Sequence, residues 1–343
     1  MNAKVGDNEY PLIVVVGPTA SGKTALALRI AQEVGGEIVS CDSVAVYRLM
    51  EIGTAKPTLA ERALIPHHCI DLYWPDEACT AGDYARHARK AIADIRGGGR
   101  IPIVAGGTGL YLRALLDGLA PAPQRDESLR TRLRTRAEQR GSVWLHRILQ
   151  RLDTHAAAAI HPNDIPKLVR SIEVTLAARQ PQREQWKAGR DPLRGYRVLR
   201  LGLAPTEVRT ELYDRINARA AAMFQHGLLD EARTLRDRYG DNCRALTALG
   251  YAQAMAVLRN EVSLEAAIAA AQQGHRNYAK RQGTWFRRDP SIHWLPGFGD
   301  QPAVQSVALD LVRQHLLPSP PNPVISTEVE RPAVRRATAP SYP

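Results

Sequence analysis

The residues from Gly17 to Thr24 read GPTASGKT and fit the phosphate-loop pattern G-x-x-x-x-G-K-[ST] at every fixed position. In such a loop backbone N–H groups close on an anion, and Lys23 brings a point charge to the terminal phosphates. The Thr24 hydroxyl can ligate Mg²⁺. The whole stretch, Gly17, Pro18, Thr19, Ala20, Ser21, Gly22, Lys23 and Thr24, is a candidate phosphate cradle. Asp42 follows a short apolar run at the carboxyl edge of the sheet, where ligands bind in open parallel sheets. Its carboxylate can hold Mg²⁺, act as a general base or cap a turn. Thr108, in a second glycine turn, can donate to a phosphate or to developing charge, or can cap the next helix. Arg215 and Arg219 stand four apart and share a helix face, as ordinary surface charges also do. From Lys280 to Arg288 basic residues flank the pair Trp285 and Phe286. Such a segment can grip a phosphate backbone and stack on a base, or can bury its aromatic pair beneath solvated arginines.

These residues need a frame. Leu12 to Val16 reads as a buried parallel strand and Ala25 to Ala31 as the start of a helix. Strands are expected at Glu37–Ser40, His68–Leu72, Ile101–Ala105, Tyr196–Leu203 and Ile292–Leu295. Thr80 with Asp83 three residues on opens a helix that Gly97, Gly98 and Gly99 stop. Further helices are expected at Thr206–Phe224, Thr247–Leu258 and Leu264–Arg281. The alternation gives an α/β fold, a P-loop NTPase-like core with a mostly parallel sheet. The expected division is a loose tail at 1–10, the core at 11–118 and 195–315, an all-helical insertion at 119–194 and a proline-rich tail at 316–343.

The chain has 343 residues and a formal charge of +11, an excess that points to a polyanionic partner. Arg125 to Arg151 holds eight arginines and no lysine against Asp126, Glu127 and Glu138. That preference suits phosphate recognition and marks a nucleic-acid surface. Cys41, Cys69, Cys79 and Cys243 have no zinc spacing and read as reduced thiols. No apolar run approaches the ~18 residues of a membrane span, and the amino terminus has no h-region, so a cytoplasmic protein is expected.

Jointly the motifs resemble the bacterial tRNA dimethylallyltransferases, the isopentenyl-tRNA transferases of the P-loop fold. The segments that carry the resemblance are GPTASGKT (17–24), CDSVAVYR (41–48), IGTAKP (52–57), AGGTGLYLRALLDGL (105–119), HPND (161–164), RSIEV (170–174), LGYAQ (249–253) and AKRQGTWFRR (279–288). They follow in the family's order over about residues 12–296. The loop alone is shared with many nucleotide-binding and ATP-binding proteins; the other segments together are far more specific. The resemblance implies transfer of a dimethylallyl group from dimethylallyl diphosphate to N6 of the adenosine 3′ to a tRNA anticodon. The loop would then hold the leaving diphosphate, with Mg²⁺ on Thr24. Asp42 would be the general base, Thr108 would stand near the diphosphate and the reacting centre, and Arg219 would assist there. The tRNA contacts it implies are Asp42, Ser43, Val44 and Ala45, then Pro166, Lys167, Leu168, Val169 and Arg170. Lys280, Arg281, Gln282, Gly283, Thr284, Trp285, Phe286 and Arg287 complete them. The helical insertion would be the surface around the anticodon loop, and a monomer is expected.

The chain departs from the pattern at Ala45, where glutamine is common, and at Pro166 and Lys167, where glutamine and arginine are usual. Thr247 stands for an arginine and Ala252 for a charged residue. Rival readings are an adenine-nucleotide prenyltransferase, a P-loop kinase or ATPase, and a non-catalytic RNA-binding relative. Against the kinase, IPIVAGG ends in glycines rather than in a Walker-B acid.

Overall fold

Five apolar residues, four of them β-branched, form the carboxyl-terminal part of β1 (Tyr10–Val16) in a computed structural model of the chain. The structure describes residues 9–120, 122–123, 125–182, 189–205 and 209–317. Residues 1–8 of the tail expected over 1–10, Pro121, Thr206 as a helix opener and residues 318–343 of the tail expected over 316–343 lie outside the described residues, whereas Tyr10 already stands in β1 and Leu316 in the last helix, Pro302–Leu316. Successive side chains of β1 face opposite ways. Leu12, Val14 and Val16 enter one apolar layer, and Ile13 and Val15 the other. A strand covered on both faces needs a continuous apolar run, which is what the sequence carries.

After β1 come α1 (Lys23–Val34), β2 (Glu37–Cys41), α2 (Leu59–Leu64), β3 (His67–His68), α3 (Ala81–Gly97), β4 (Pro102–Gly106) and α4 (Gly109–Leu116). The expected capping box is present at the start of α3: Thr80 accepts from the Asp83 N–H, and Asp83 accepts from the Thr80 N–H. Four helices follow, α5 (Glu127–Arg140), α6 (Ser142–Leu152), α7 (Thr154–Ala159) and α8 (Ile165–Ala178). They close on their own apolar cluster, which includes Leu133, Leu145, Leu149, Leu168, Val169 and Ile172. The chain returns with β5 (Tyr196–Ala204), α9 (Arg209–Gln225), α10 (Leu228–Tyr239), α11 (Tyr251–Leu258), α12 (Leu264–Phe286), β6 (Ile292–Pro296) and α13 (Pro302–Leu316).

The sheet has six strands in the order β3-β2-β4-β1-β5-β6, and every pair is parallel. Residues after β1 lead to one side of the sheet and residues after β4 cross to the other, so the strand order reverses beside β1. Ligands of open α/β sheets bind outside the carboxyl ends at that reversal. Val16 lies opposite Gly106, and Cys41 lies opposite the same Gly106. The phosphate loop, the Asp42 turn and the Thr108 turn therefore emerge side by side.

Two expectations need correction. The strand expected over His68–Leu72 shrinks to two residues, because Cys69 and Asp71 take left-handed conformations at φ 61° and 55°. The Asp71 carboxylate turns to Lys56 at 2.6 Å and Arg62 at 2.9 Å instead. The helix expected over Thr247–Leu258 splits into a 3₁₀ turn at Arg244–Thr247 and α11, with Gly250 between them at φ 92°. Three helices lie beyond those expected, the short α2 among them. α10 runs between Gly227 and Gly240, and α13 covers the Ile13 and Val15 face with Val304, Ala308, Leu309 and Val312. No helix among the described residues is long and apolar enough to cross a membrane.

Candidate active site

The loop ends where α1 begins, and its geometry depends on glycine at position 22. Gly22 holds φ 85°, and a Cβ there would stand 2.8 Å from the Gly299 backbone nitrogen. No side chain caps α1, so its first N–H groups remain open to a ligand. A cavity of about 740 Å³ lies against this end, lined by Thr19, Ala20, Gly22, Lys23 and Thr24 from the loop. The Asp42 turn, Arg215 and Arg219 of α9, and Tyr278 and Gln282 of α12 form the facing walls. Gly17 and Pro18 do not line it; they border a separate apolar cavity of about 280 Å³ with Leu203, Phe286 and Trp294.

The charges in the cavity are unbalanced. Lys23 Nζ donates to the Pro18 carbonyl at 2.6 Å and has no acidic partner within ion-pair distance among the described residues. Burial, and then the nearby Arg219, push Lys23 down to about 7 despite the opposing pull of Asp42. Arg219 is itself lowered by burial, with Asp42 acting against the shift, and its Nε is buried without a partner. Ser21 Oγ and His275 Nε2 are also buried and unpartnered; burial and then Arg219 hold His275 at about 4. Buried donors left without acceptors are costly. A di- or trianion between Lys23, Arg219 and the start of α1 would supply the missing acceptors. Arg215 differs from Arg219. It is ion-paired with Glu211 at 3.0 Å and with Asp300 at 2.8 Å, and it lies over Phe298.

Asp42 performs the turn-capping role with one oxygen. Oδ1 accepts from the Val44 and Ala45 N–H groups at 2.8 and 3.1 Å, which orients the carboxylate and leaves Oδ2 for the cavity. Thr108 stands at the N-cap position of α4 but makes no capping bond. Its Oγ1 instead accepts from the Ser43 N–H at 3.1 Å, tying the two turns together. Gln282 joins the third side, accepting from the Thr19 N–H at 2.8 Å and donating to the Gly107 carbonyl at 3.0 Å.

For Mg²⁺ the donor set can be tested. Among the described residues no cluster of three or more His, Cys, Asp or Glu can hold a metal alone. Thr24 offers a hydroxyl in the same cavity as the anion cradle. Mg²⁺ is commonly held by one or two protein oxygens together with substrate phosphate oxygens, so this set fits it.

The remaining sequence candidates divide by burial. In α12, Gln282 and Phe286 point inward, while Lys280, Arg281, Thr284 and Trp285, and Arg287 just past its end, are exposed. Trp285 lies under Arg113, whose Cζ is 4.6 Å from the ring centroid. In α8, Pro166 and Lys167 are exposed, but Leu168 and Val169 are 0% and 1% exposed in the insertion core. Their side chains hold α8 against α5 and α6 and cannot reach an RNA, which corrects the candidate segment 166–170. Arg170 is tied to Glu173 at 2.6 Å. Of the arginine-rich stretch, Arg130 binds the buried Glu173 at 2.7 Å, and Arg134 and Arg125 bind Glu127. Arg132 and Arg136 are exposed, with no ion pair among the described residues. Tyr278 lines the cavity, and His275 lies behind it near Arg219, without any signal in the sequence. They lie one turn apart on a helix whose pattern shows nothing unusual there.

Comparison with known proteins shows the family of the chain. The family described as IPP transferase matches residues 45–289, and one described as isopentenyl transferase matches residues 10–65. The chain belongs to the IPP transferase family. Relatives named tRNA dimethylallyltransferase include that of Koribacter versatilis, 57% identical over 88% of this chain and 98% of its own length. That of Solibacter usitatus is 53% identical over 89% and 99%. Among solved structures, the tRNA isopentenylpyrophosphate transferase of Bacillus halodurans superposes with a TM-score of 0.66 at 35% identity, covering 90% of this chain and 97% of that one. A eukaryotic dimethylallyltransferase acting on tRNA superposes with a TM-score of 0.71 at 25% identity, covering 89% and 80%. The family's α/β core is thus the core described above.

Proposed function

We propose that this protein transfers a dimethylallyl group from dimethylallyl diphosphate to N6 of the adenosine 3′-adjacent to the anticodon in tRNA, releasing diphosphate. The observation that carries this reading is a part-buried anion cradle that shares one cavity with an oriented carboxylate. The N–H groups at the start of α1, Lys23 and Arg219 bind the diphosphate and stabilise the charge it gains as the allylic C–O bond breaks. The exocyclic amine of adenine is a weak nucleophile, because its lone pair is delocalised into the ring. As N6 bonds to the allylic carbon, Asp42 Oδ2 accepts its proton. Thr108 and Gln282 keep the three loops in register, so that base and cradle face each other across the cavity. Mg²⁺, held by Thr24 and phosphate oxygens, would supply further charge neutralisation to the leaving group.

The target base must leave its stack to reach Asp42, which requires protein around the loop that presents it. The exposed Arg132 and Arg136 of the insertion and the exposed basic face of α12 suit that role. The test is incubation with labelled dimethylallyl diphosphate and either unmodified tRNA or AMP. Label entering tRNA is the expected result. Label on AMP alone would reassign the acceptor to a free adenine nucleotide, and label on neither would end the prenyl-transfer reading.

A further inference from the structure

A second group of cations without acidic partners lies outside the cavity, around an exposed indole. Trp74, in the loop after β3, keeps 36% of its surface in solvent. The Arg48 Cζ stands 4.7 Å from its ring centroid and the Arg238 Cζ 5.2 Å. Arg48 lies on the segment that leads out of the Asp42 turn, and its Nε–H donates to the Asp71 carbonyl at 2.8 Å. Its place beside the ring is therefore fixed. Arg238, in the last turn of α10, is exposed and lies against two rings, those of Trp74 and of Tyr239. The loop is fastened at its root, where the Trp74 N–H donates to the Glu77 carboxylate and the buried Cys243 thiol donates to the Pro75 carbonyl at 3.2 Å. Arg244 is exposed and follows Cys243 directly in sequence, so it borders the root of this loop. Among the described residues none of Arg48, Arg238 and Arg244 makes an ion pair.

Folding alone gives little reason for this arrangement. A rigidly rooted aromatic ring with guanidinium groups over it that have no carboxylate partners suits unpaired nucleic acid. Its bases stack on rings or guanidinium planes, and its phosphates take the remaining cations. A protein partner that buried the indole would have to desolvate Arg48 and Arg238 as well. We propose that Trp74, with Arg48, Arg238 and Arg244, is a stacking contact for an unpaired nucleotide of the tRNA substrate; this rests on the tRNA reading above. The base lies on the ring, Arg48 stays in place, and Arg238 turns from the ring to a neighbouring phosphate.

The experiment compares Trp74→Ala and Trp74→Phe with the unaltered protein in prenyl transfer at varied tRNA concentration. In Trp74→Ala the KM for tRNA should rise roughly 10-fold, and Trp74→Phe should recover most of that loss. Turnover at saturating tRNA and the KM for dimethylallyl diphosphate should stay within about twofold of the unaltered protein. Arg238→Gln should flatten the salt dependence of tRNA binding by a slope of about 0.7. A Trp74→Ala protein with an unchanged melting temperature and a tRNA KM within about twofold of the unaltered protein overturns the proposal while leaving the tRNA reading intact. If the unaltered protein itself takes up no tRNA, the tRNA reading fails, and this contact fails with it.

Discussion

Arg219 and Arg130 are both drawn out of solvent, and they end in opposite circumstances. Arg130 of α5 meets Glu173 of α8 through Nε at 2.9 Å and a terminal nitrogen at 2.7 Å, and Glu173 also accepts from the Asp126 N–H and from Arg170. Burial alone would raise the Glu173 carboxyl, but those donors outweigh it and hold it at about 2. Arg219 of α9 meets no carboxylate within ion-pair distance among the described residues, has a buried Nε with no partner and faces a second cation, Lys23. A fold that pairs one arginine so completely and leaves the other opposite a lysine uses them differently. The paired arginine holds helices together, and the unpaired one awaits an anion. The same rule sorts the surface, where paired arginines such as Arg134 serve the insertion and unpaired ones such as Arg132 and Arg136 remain for a partner.

The sharpest test of the cavity is the oriented Asp42 carboxylate. Asp42→Asn keeps an acceptor for the Val44 and Ala45 N–H groups and removes only the base, so the turn survives. Turnover should fall by roughly 10²-fold or more with tRNA affinity retained. Full turnover in the Asn variant would reduce Asp42 to a turn cap. The arginine pair gives the next effect, and it should split cleanly. Arg219→Gln should lower turnover by about 10²-fold without lowering the melting temperature, since no native ion pair is removed. Arg130→Gln should destabilise the insertion by about 2 kcal/mol, because it takes two of the four hydrogen bonds from the buried Glu173 carboxylate and leaves those of Asp126 and Arg170, while turnover of the folded enzyme persists. Interchanged outcomes would refute the distinction between paired and unpaired cations.

Most of the core is readable from sequence because its signals are local. The phosphate loop has fixed residues at fixed spacing, the buried strands are continuous apolar runs, and Thr80 and Asp83 are three apart. What escapes such a reading depends on meetings between residues distant in sequence. Nothing near Gln282 says that it bridges Thr19 and Gly107, and nothing near Arg130 names Glu173 as its partner. Leu168 and Val169 sit among basic residues, which suggests a contact segment, although helical spacing alone places them on the face toward α5 and α6. β3 is shorter than its residue types suggest, because left-handed turns at non-glycine residues such as Cys69 and Asp71 leave no mark in composition.

The surface half of the comparison is tested by salt. Arg132→Gln with Arg136→Gln removes two cations that no acidic group among the described residues holds. Each phosphate that goes unneutralised should take about 0.7–0.9 from the slope of log affinity against log salt, roughly 1.5 in all. Between about 50 and 200 mM salt that amounts to an ~8-fold smaller loss of affinity in the double variant than in the unaltered protein. An unaltered slope would move the tRNA to another face. Arg134→Gln, whose partner is Glu127, should change the slope far less.

The smallest effect separates the two regions by pH. Lys23 is held at about 7, so in the free protein it keeps its proton below that pH and loses it above. A bound diphosphate favours the ammonium form, so binding above pH 7 must take up a proton, and affinity falls as pH rises. If the bound lysine titrates well above 8, the dissociation constant for dimethylallyl diphosphate should rise about fivefold between pH 7 and 8. Calorimetry in buffers of differing ionisation heat would show the matching proton uptake. Asp42→Asn should move the midpoint downward, because Asp42 is the group that pulls the Lys23 value up. The insertion should show no step in this range. Glu173 has a folded value lowered to about 2, so its contribution is fully present above the usual carboxyl range and is lost only as pH falls through about 2. A flat affinity from pH 7 to 8 would mean that Lys23 is already neutralised by a partner inside the fold, and the contrast with Arg130 would vanish.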